Sequence, residues 1–401
     1  MSTRTLPLSK RVLKMEESAT IKMAKMARQL KSEGHDVISL SLGEPDFDTP
    51  DHIKEAAKKA LDEGFTKYTP VPGIPELRKA IQNKFKRDNN LDFDLNQIVV
   101  SNGAKQSIAN LCLALLDEDD EAVILAPFWV SYSAIVKIGG GVPVVVAAGI
   151  EDDYKVSAQQ LEDAITDRTK IVIFSSPCNP TGSVYTAEEL EGIANVVAKH
   201  EDIFIISDEI YEYINFSEKH VSIGTFEQVK DRTITINGFS KGFAMTGWRL
   251  GYIGAPDWIA AACAKIQGQF TSGANAFGQK AAAYALEADL TPTHKMRAAF
   301  MKRRDMVIEL LSAIPGVKVN HPKGAFYIFP DISDFFGKTD GNMTINNSDD
   351  FCEYLLHNAH VAVVTGSAFG AGNCFRISYA ASEDTLREAI RRMKVALAKL
   401  H

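Results

Sequence analysis

From about Gln97 onward the chain alternates short apolar runs with amphipathic stretches. QIVVS precedes KQSIANLCLALL, EAVILA precedes YSAIVKI and KIVIFS precedes AEELEGIANVVAKH, while VPVVVA, FIISDE, RTITING and RLGYIGA complete a set of seven runs. Runs that are apolar at nearly every position mark strands buried on both faces, and the helical periodicity between them supplies the covering layers. The expectation is an α/β fold on a mostly parallel seven-stranded sheet.

The flanking regions follow a different pattern. IKMAKMARQLKSE, residues 21–33, has apolar positions at helical spacing, with Gly34 where a C-cap belongs. The strand DVISLSLG then runs into the turn-rich GEPDFDTP. A helix from His52 to Glu63, the Pro-rich loop KYTPVPGIPE and a helix ending near Asp88 follow. Beyond the sheet region come a helical tract from Trp258 to about Leu286 and a long helix over Pro292 to Ile314. The short segments GVKVN, GAFYIFP, VAVVTG and CFRISYA come next, with helices near residues 349–358 and 383–399. This pattern predicts a smaller α+β domain from residues 1–47 and 291–401 beside a large domain over 48–290. Gly139, Gly140 and Gly141 join a helix to a strand, so they read as a cap and turn and not as a nucleotide fingerprint.

Composition narrows the choices. At 401 residues the chain exceeds what one compact core usually covers, in keeping with two domains. The net charge of −7 leaves no global attraction for nucleic acid or an anionic membrane, although a local basic pocket is compatible with it. Cys112, Cys178, Cys263, Cys352 and Cys374 are far apart, with no CxxC pair and no zinc-like spacing to histidine. They read as reduced core thiols of a cytoplasmic protein without a metal site. The basic N-terminus lacks the apolar core of a signal peptide and soon carries Glu16 and Glu17. No apolar run approaches the roughly 18 residues of a membrane span.

Open parallel sheets bind ligands beyond the carboxyl ends of their strands, which draws attention to the polar residues just after the runs. Asn102-Gly103-Ala104-Lys105 opens a helix, where backbone amides suit either an N-cap turn or a phosphate. Asn179, in SPCNPTG, belongs to good turn chemistry and is also placed to hold a ring hydroxyl. Asp208 ends a buried run, so it needs either a helix-capping role or a cationic partner such as a protonated ring nitrogen; Tyr211 lies three positions on. In GFSKGFAMTGWRLGY, Lys241 reads as a surface lysine or as a buried Schiff-base amine, and Arg249 as a structural ion pair or a phosphate fork. Taken together, these groups match the needs of a phosphorylated aldehyde cofactor with a basic ring nitrogen.

At this point the chain resembles the class I aminotransferases, pyridoxal 5′-phosphate enzymes of fold type I, and especially their prokaryotic aspartate aminotransferase branch. SLGEPDFDTP, KYTPVPGIPELR, SNGAKQ, PFWVSY, SPCNPTG, SDEIYE, NGFSKGFAMTGWRLGY, GAFYIF and CFRISYA carry the resemblance along essentially the whole length. It implies that Lys241 binds the cofactor covalently and shuttles the proton, and that Asp208 keeps the ring nitrogen protonated. Asn179 and Tyr211 would bond the ring oxygen, Trp129 would stack on the ring, and Gly103, Ala104, Ser240 and Arg249 would grip the phosphate. Tyr68 would reach the phosphate of a neighbouring subunit, which implies a homodimer with shared active sites.

For substrates, the resemblance gives Arg376 and Gly43 to the α-carboxylate, Lys105 to the distal carboxylate of aspartate or glutamate, and Thr20 to the closing N-terminal stretch. Read from strand alternation alone, Arg376 faces solvent. The implied reaction moves the amino group of L-aspartate to 2-oxoglutarate by a ping-pong route. Aromatic- or alanine-type aminotransferases and carbon–sulfur lyases share most of these residues and remain alternatives. Some relatives that also accept prephenate carry a basic residue in the N-terminal segment where this chain has Glu16-Glu17, which weighs against that substrate without excluding it. A DNA-binding regulator is disfavoured by the acidic charge and the short segment before SKRV, and a nicotinamide dehydrogenase by the lack of GxGxxG after any run.

Overall fold

The structure, a computed structural model, describes residues 8–13, 15, 17–217 and 219–401. Glu16, on which the contrast with prephenate-accepting relatives partly rests, lies outside them, while Glu17 pairs with Lys25. Ahead of the main sheet lies β1 (Ile38–Ser39). The main sheet comprises β2 (Ile98–Ser101), β3 (Glu121–Ala126), β4 (Val142–Ala147), β5 (Thr169–Ser175), β6 (Phe204–Asp208), β7 (Thr233–Gly238) and β8 (Gly251–Gly254). Their spatial order is β2-β8-β7-β6-β5-β3-β4, and only β8 runs antiparallel to its neighbours. The seven apolar runs are therefore the seven strands, in an α/β arrangement.

Two-sided burial explains their composition. Ile171 and Ile173 of β5 pack with the helices Ala104–Leu115, Ser131–Gly139 and Asp257–Phe270, whereas Val172 and Phe174 pack with Ala158–Ala164 and Ala187–Ala198. β4 is an edge strand of half-exposed and exposed residues, where Pro143 is tolerated because the outer side needs no ladder donor. The pairing register places Ser175, Asp208 and Ile236 at one level, so the strand ends of β5, β6 and β7 form a common rim.

A second core gathers around β9 (Tyr327–Ile328), β10 (Val361–Ala362), β11 (Val364–Thr365) and β12 (Phe375–Ser378). The antiparallel order is β11-β12-β9, while β10 pairs in parallel with β1. VAVVTG therefore serves two small sheets. Helices Thr291–Ser312, Ser348–Asn358 and Glu383–Leu397 cover this core with Phe300, Leu355 and Met393. Ile210, Tyr211 and Ile214 are also buried in it, so the segment after β6 is held by both packing units.

Three expectations change. GVKVN forms only an isolated bridge between Lys318 and Asp331. The tract from Trp258 to Leu286 is two helices, Asp257–Phe270 and Ala276–Glu287; Ser272 adopts φ 59° and the Asn275 side chain caps the Gly278 amide at 2.7 Å. Gly273 sits in that break, where a Cβ would meet Thr69 Oγ1 at 2.5 Å in the Pro-rich loop. The helix towards Asp88 is α-helical over Pro75–Lys84 and finishes as a π-turn, Phe85–Asn89, closed by Asn90 at φ 56°.

One close approach ties the sheet to its ligand-facing rim. A Cβ on Gly251 of β8 would lie 2.6 Å from the Gly103 carbonyl carbon and would also strike the Ala104 backbone nitrogen. Backbone cannot swing aside as a side chain can. Gly251→Ala is expected to destabilise the fold by about 1–3 kcal/mol through overpacking. A urea midpoint equal to that of the unsubstituted protein would contradict this.

Candidate active site

Above the rim lies a cavity of about 480 Å³ that brings together residues from both packing units. At one end, Gly103 adopts φ 85° and delivers the chain into helix Ala104–Leu115, whose opening amides face away from the helix's own carbonyls. Arg249 backs this turn. It donates to the Thr246 carbonyl at 3.0 Å, and a Cβ on Gly103 would lie 3.0 Å from its guanidinium carbon. Among the described residues Arg249 makes no ion pair, so the structural alternative raised by its sequence context is absent there. With Ala104 and the Ser240 hydroxyl on the same wall, helix terminus, hydroxyl and fork make an anion site.

Asp208 occupies the floor and is 5% exposed. Its carboxylate accepts from Tyr132 Oη at 2.7 Å and from the Ile210 amide at 3.2 Å. Burial still pushes its pKa up to about 6, despite those two donors. A buried carboxylate left in this state is short of a cation. Lys241 shares the cavity and donates to the Gly43 carbonyl at 2.5 Å, but makes no ion pair among the described residues. Burial, with Arg376 adding repulsion, pushes its pKa down to about 8, which favours a neutral, nucleophilic amine.

The opposite wall comes from the second core. Arg376 is 2% exposed, contrary to the solvent-facing reading from strand alternation, because β12 is covered on both sides. Its guanidinium lies 4.5 Å from the Tyr327 ring centroid and 4.9 Å from that of Phe369. It donates to Asn179 Oδ1 at 2.9 Å and to the Ser41 carbonyl at 2.6 Å, while its buried Nε has no partner. Tyr211 and Tyr327 share a hydroxyl–hydroxyl bond of 2.7 Å, and a Cβ on Gly43 would run into that Tyr327 hydroxyl. Burial raises the Tyr211 pKa well above the usual phenol value.

Lys105 stands at the mouth, its ammonium 4.8 Å from the centroid of the Trp129 ring. Burial and the nearby Arg249 lower its pKa. Thr20, at the start of helix Ala19–Ser32, lines the same cavity. Tyr68 does not; it is 99% exposed in the Pro-rich loop. Of the residues singled out from sequence, Tyr68 alone stands apart from this cluster.

Sequence reasoning missed Tyr132 and Tyr327, although both lie in the quoted motifs PFWVSY and GAFYIF. Tyr132 follows Trp129 by three positions, nearly one helical turn, and the two rings meet edge-to-face at 5.5 Å. That spacing was the available signal. For Tyr327 no local signal exists, because its bond to Tyr211 spans 116 positions.

Tyr132→Phe removes one of the two donors to Asp208 and is expected to raise the carboxyl's proton affinity and lower turnover about tenfold. A turnover equal to that of the unsubstituted protein would remove the claim. Because the Asp208 pKa is raised on folding, the cofactor-free protein is expected to lose stability as pH climbs from about 4 to about 6. Asp208→Asn should flatten that slope in denaturant titrations run across the interval.

The profile described as "Aminotransferase class I and II" matches residues 35–393. A relative from Petunia hybrida, described as a bifunctional aspartate aminotransferase and glutamate/aspartate-prephenate aminotransferase, is 47% identical over 98% of this chain and 83% of its own length. The aspartate/prephenate aminotransferase of Cereibacter sphaeroides is 46% identical over 98% of this chain and 99% of its own. Among solved structures, the aspartate aminotransferase from Rhizobium meliloti superposes with a TM-score of 0.96 at 42% identity, covering 99% of this chain and 100% of that one. The Thermus thermophilus aspartate aminotransferase with maleate gives 0.92 at 41% identity, covering 98% and 100%. A buried carboxylate, a lysine of lowered pKa and an anion cradle thus sit in a fold shared, nearly end to end, with fold type I transaminases: the chain belongs to the class I and II aminotransferases.

Proposed function

We propose that the protein transfers the amino group of L-aspartate to 2-oxoglutarate, producing oxaloacetate and L-glutamate. The observation that carries this reading is the pairing of two cations across one cavity: Arg376 with an unpartnered buried Nε, and Lys105 at the mouth. Both line the cavity that also holds Lys241 and Asp208, which suits an amino acid with one carboxylate on its reacting carbon and a second further along its side chain. The relatives named above act on aspartate, and the Thermus structure holds maleate, itself a dicarboxylate.

The family's cofactor is pyridoxal 5′-phosphate, and the residues fit it on three counts. Asp208 is a buried carboxylate short of a cation, which a pyridinium nitrogen supplies. Gly103, Ala104, Ser240 and Arg249 form an anion cradle in which a side chain at Gly103 would strike the guanidinium. Lys241 is an amine with a depressed pKa, ready for an aldehyde. When bound, the cofactor supplies an electron sink for the carbanion left by α-proton removal.

This chain's own residues would do the rest. Lys241 would take the α-proton at Nζ and return it on the far side of the amino nitrogen, two atoms from the α-carbon. Arg376 fixes the α-carboxylate together with the Gly43 backbone, and Lys105 leaves the Trp129 face to meet the distal carboxylate. Asn179 and Tyr211 orient the ring oxygen, and Trp129 covers the ring. We assign residues 48–290 to a large domain and 1–47 with 291–401 to a smaller one whose closure, Thr20 included, excludes water. Tyr68 is proposed to reach the phosphate of a partner in a cytoplasmic homodimer, since a fully exposed tyrosine on a Pro-stiffened loop has no role in its own cavity.

A second acceptor, prephenate, is favoured by the names of the relatives and by its own two carboxylates. Lys105→Met is expected to raise KM for aspartate about 10- to 100-fold, the cost of a lost charge-assisted bond, while leaving alanine as donor nearly unchanged. Equal effects on both donors would refute the distal-carboxylate role. Lys241→Ala is expected to abolish both turnover and the visible absorbance of bound cofactor.

A further inference from the structure

Behind Asp208, on the side away from the cavity, lies a buried polar cluster that the reaction above does not use. Glu209 is 1% exposed, and each of its carboxylate oxygens accepts two hydrogen bonds. Oε1 takes Ser207 Oγ at 3.0 Å and Ser222 Oγ at 2.5 Å, and Oε2 takes Asn89 Nδ2 at 3.1 Å and His220 Nε2 at 2.8 Å. Asn89 also donates to Glu212 at 2.8 Å and accepts from Lys84 at 2.6 Å. Lys84, fully buried, pairs with Glu212.

These partners come from three places in the chain: the end of helix Pro75–Lys84 with its π-turn, the segment after β6, and the loop holding His220 and Ser222. Glu209, Glu212 and His220 bring ligand atoms within 4.8 Å of one another, a spacing that also suits a metal ion. Here the Lys84 ammonium already supplies the cation, and Glu209 has no acceptor position left.

The charges then decide what His220 does. Two carboxylates face one ammonium, so the cluster carries an uncompensated negative charge unless the imidazole is protonated. Such a charge is costly in a water-free interior. Burial alone would disfavour the imidazolium, but Glu209, aided by Glu212, outweighs burial and the opposing Lys84, and the His220 pKa is raised. Glu209 precedes Ile210 and Tyr211 and adjoins Asp208, so whatever fixes its side chain fixes the backbone that aims both functional groups. We propose that Glu209 and His220 are positioning residues for Asp208: the imidazolium–carboxylate pair anchors the Asp208–Tyr211 segment and balances the charge behind the cavity floor. The proposal rests on the role assigned to Asp208 above.

The test uses the full-length holoprotein and two variants that keep hydrogen-bonding capacity without charge, Glu209→Gln and His220→Gln. The pH midpoint of the cofactor's visible absorbance reports the electrostatic potential at the floor. Removing the His220 charge leaves a carboxylate uncompensated and is expected to move that midpoint up by about half a pH unit or more. In Glu209→Gln the imidazole loses the partner that holds its proton, so carboxylate and imidazolium charges vanish together and the midpoint is expected to move much less. That asymmetry supports the proposal. No upward shift in His220→Gln, or equal shifts in the two variants, overturns it, because mere loosening of structure has no reason to distinguish which member of the pair is removed. Should either variant fail to fold, the other decides alone, His220→Gln by its upward shift and Glu209→Gln by the histidine readout. In parallel, histidine NMR follows His220 itself, whose midpoint should fall in Glu209→Gln; an unmoved midpoint overturns the pair. This second readout needs no cofactor, so absence of a cofactor spectrum would count against the functional assignment and not against the pair.

Discussion

A carboxylate buried at the end of a parallel strand is the constraint around which the rest of this structure is arranged. Asp208 sits on the rim formed by β5, β6 and β7, with a tyrosine hydroxyl and one backbone amide as donors and no cation of its own. Two hydrogen bonds do not offset the loss of water, and its pKa stands near 6. An ionic partner above it is therefore strongly favoured, and the proposed pyridinium meets that need. The same dry environment depresses the Lys241 amine, so one physical cause prepares an acid and a base in opposite senses.

That arrangement requires rigid backing, since a charge in low dielectric rewards small displacements of its neighbours. The segment after Asp208 is wedged between two cores: Ile210, Tyr211 and Ile214 are packed with the second, while Glu209 and Glu212 are tied to Lys84, Asn89 and His220. Arg376 is held comparably from the other side, between the rings of Tyr327 and Phe369. Tyr327 also meets Tyr211, which links the wall carrying the arginine to the floor carrying the aspartate. A guanidinium so enclosed keeps its direction without a counter-ion among the described residues, and its buried Nε has no partner there.

Much of the site was legible beforehand because several candidates lie at or just beyond a strand end. Residues 102–105, Asn179, Asp208 and Lys241 all come directly after apolar runs, and the parallel sheet collects such positions on one edge whatever their distance in sequence. Arg376 was harder to place. Its strand is four residues long and covered on both faces, so the alternation that normally reports exposure carried no information. Tyr132 was quoted but not singled out, since a tyrosine in the first turn of an amphipathic helix looks like any core aromatic. The break at residues 271–275 did carry a local signal, Ser272-Gly273 followed by Asn275 as the next helix's N-cap, which the helical tract drawn from sequence passed over.

The sequence by itself determined the seven strands of the main sheet, the helices between them and the residue types at the strand ends, because periodicity and turn chemistry act over a few positions. Its motifs also carried the family. Only the tertiary structure decided which groups lost their water. Burial depends on residues more than a hundred positions away, as with Tyr211 and Tyr327 or Asn179 and Arg376. Desolvation in turn sets the charge preferences of Asp208 and Lys241, while the neighbouring Glu209 sets that of His220 against its burial. Local pattern names a lysine or an aspartate, and three-dimensional packing decides how readily each holds a proton.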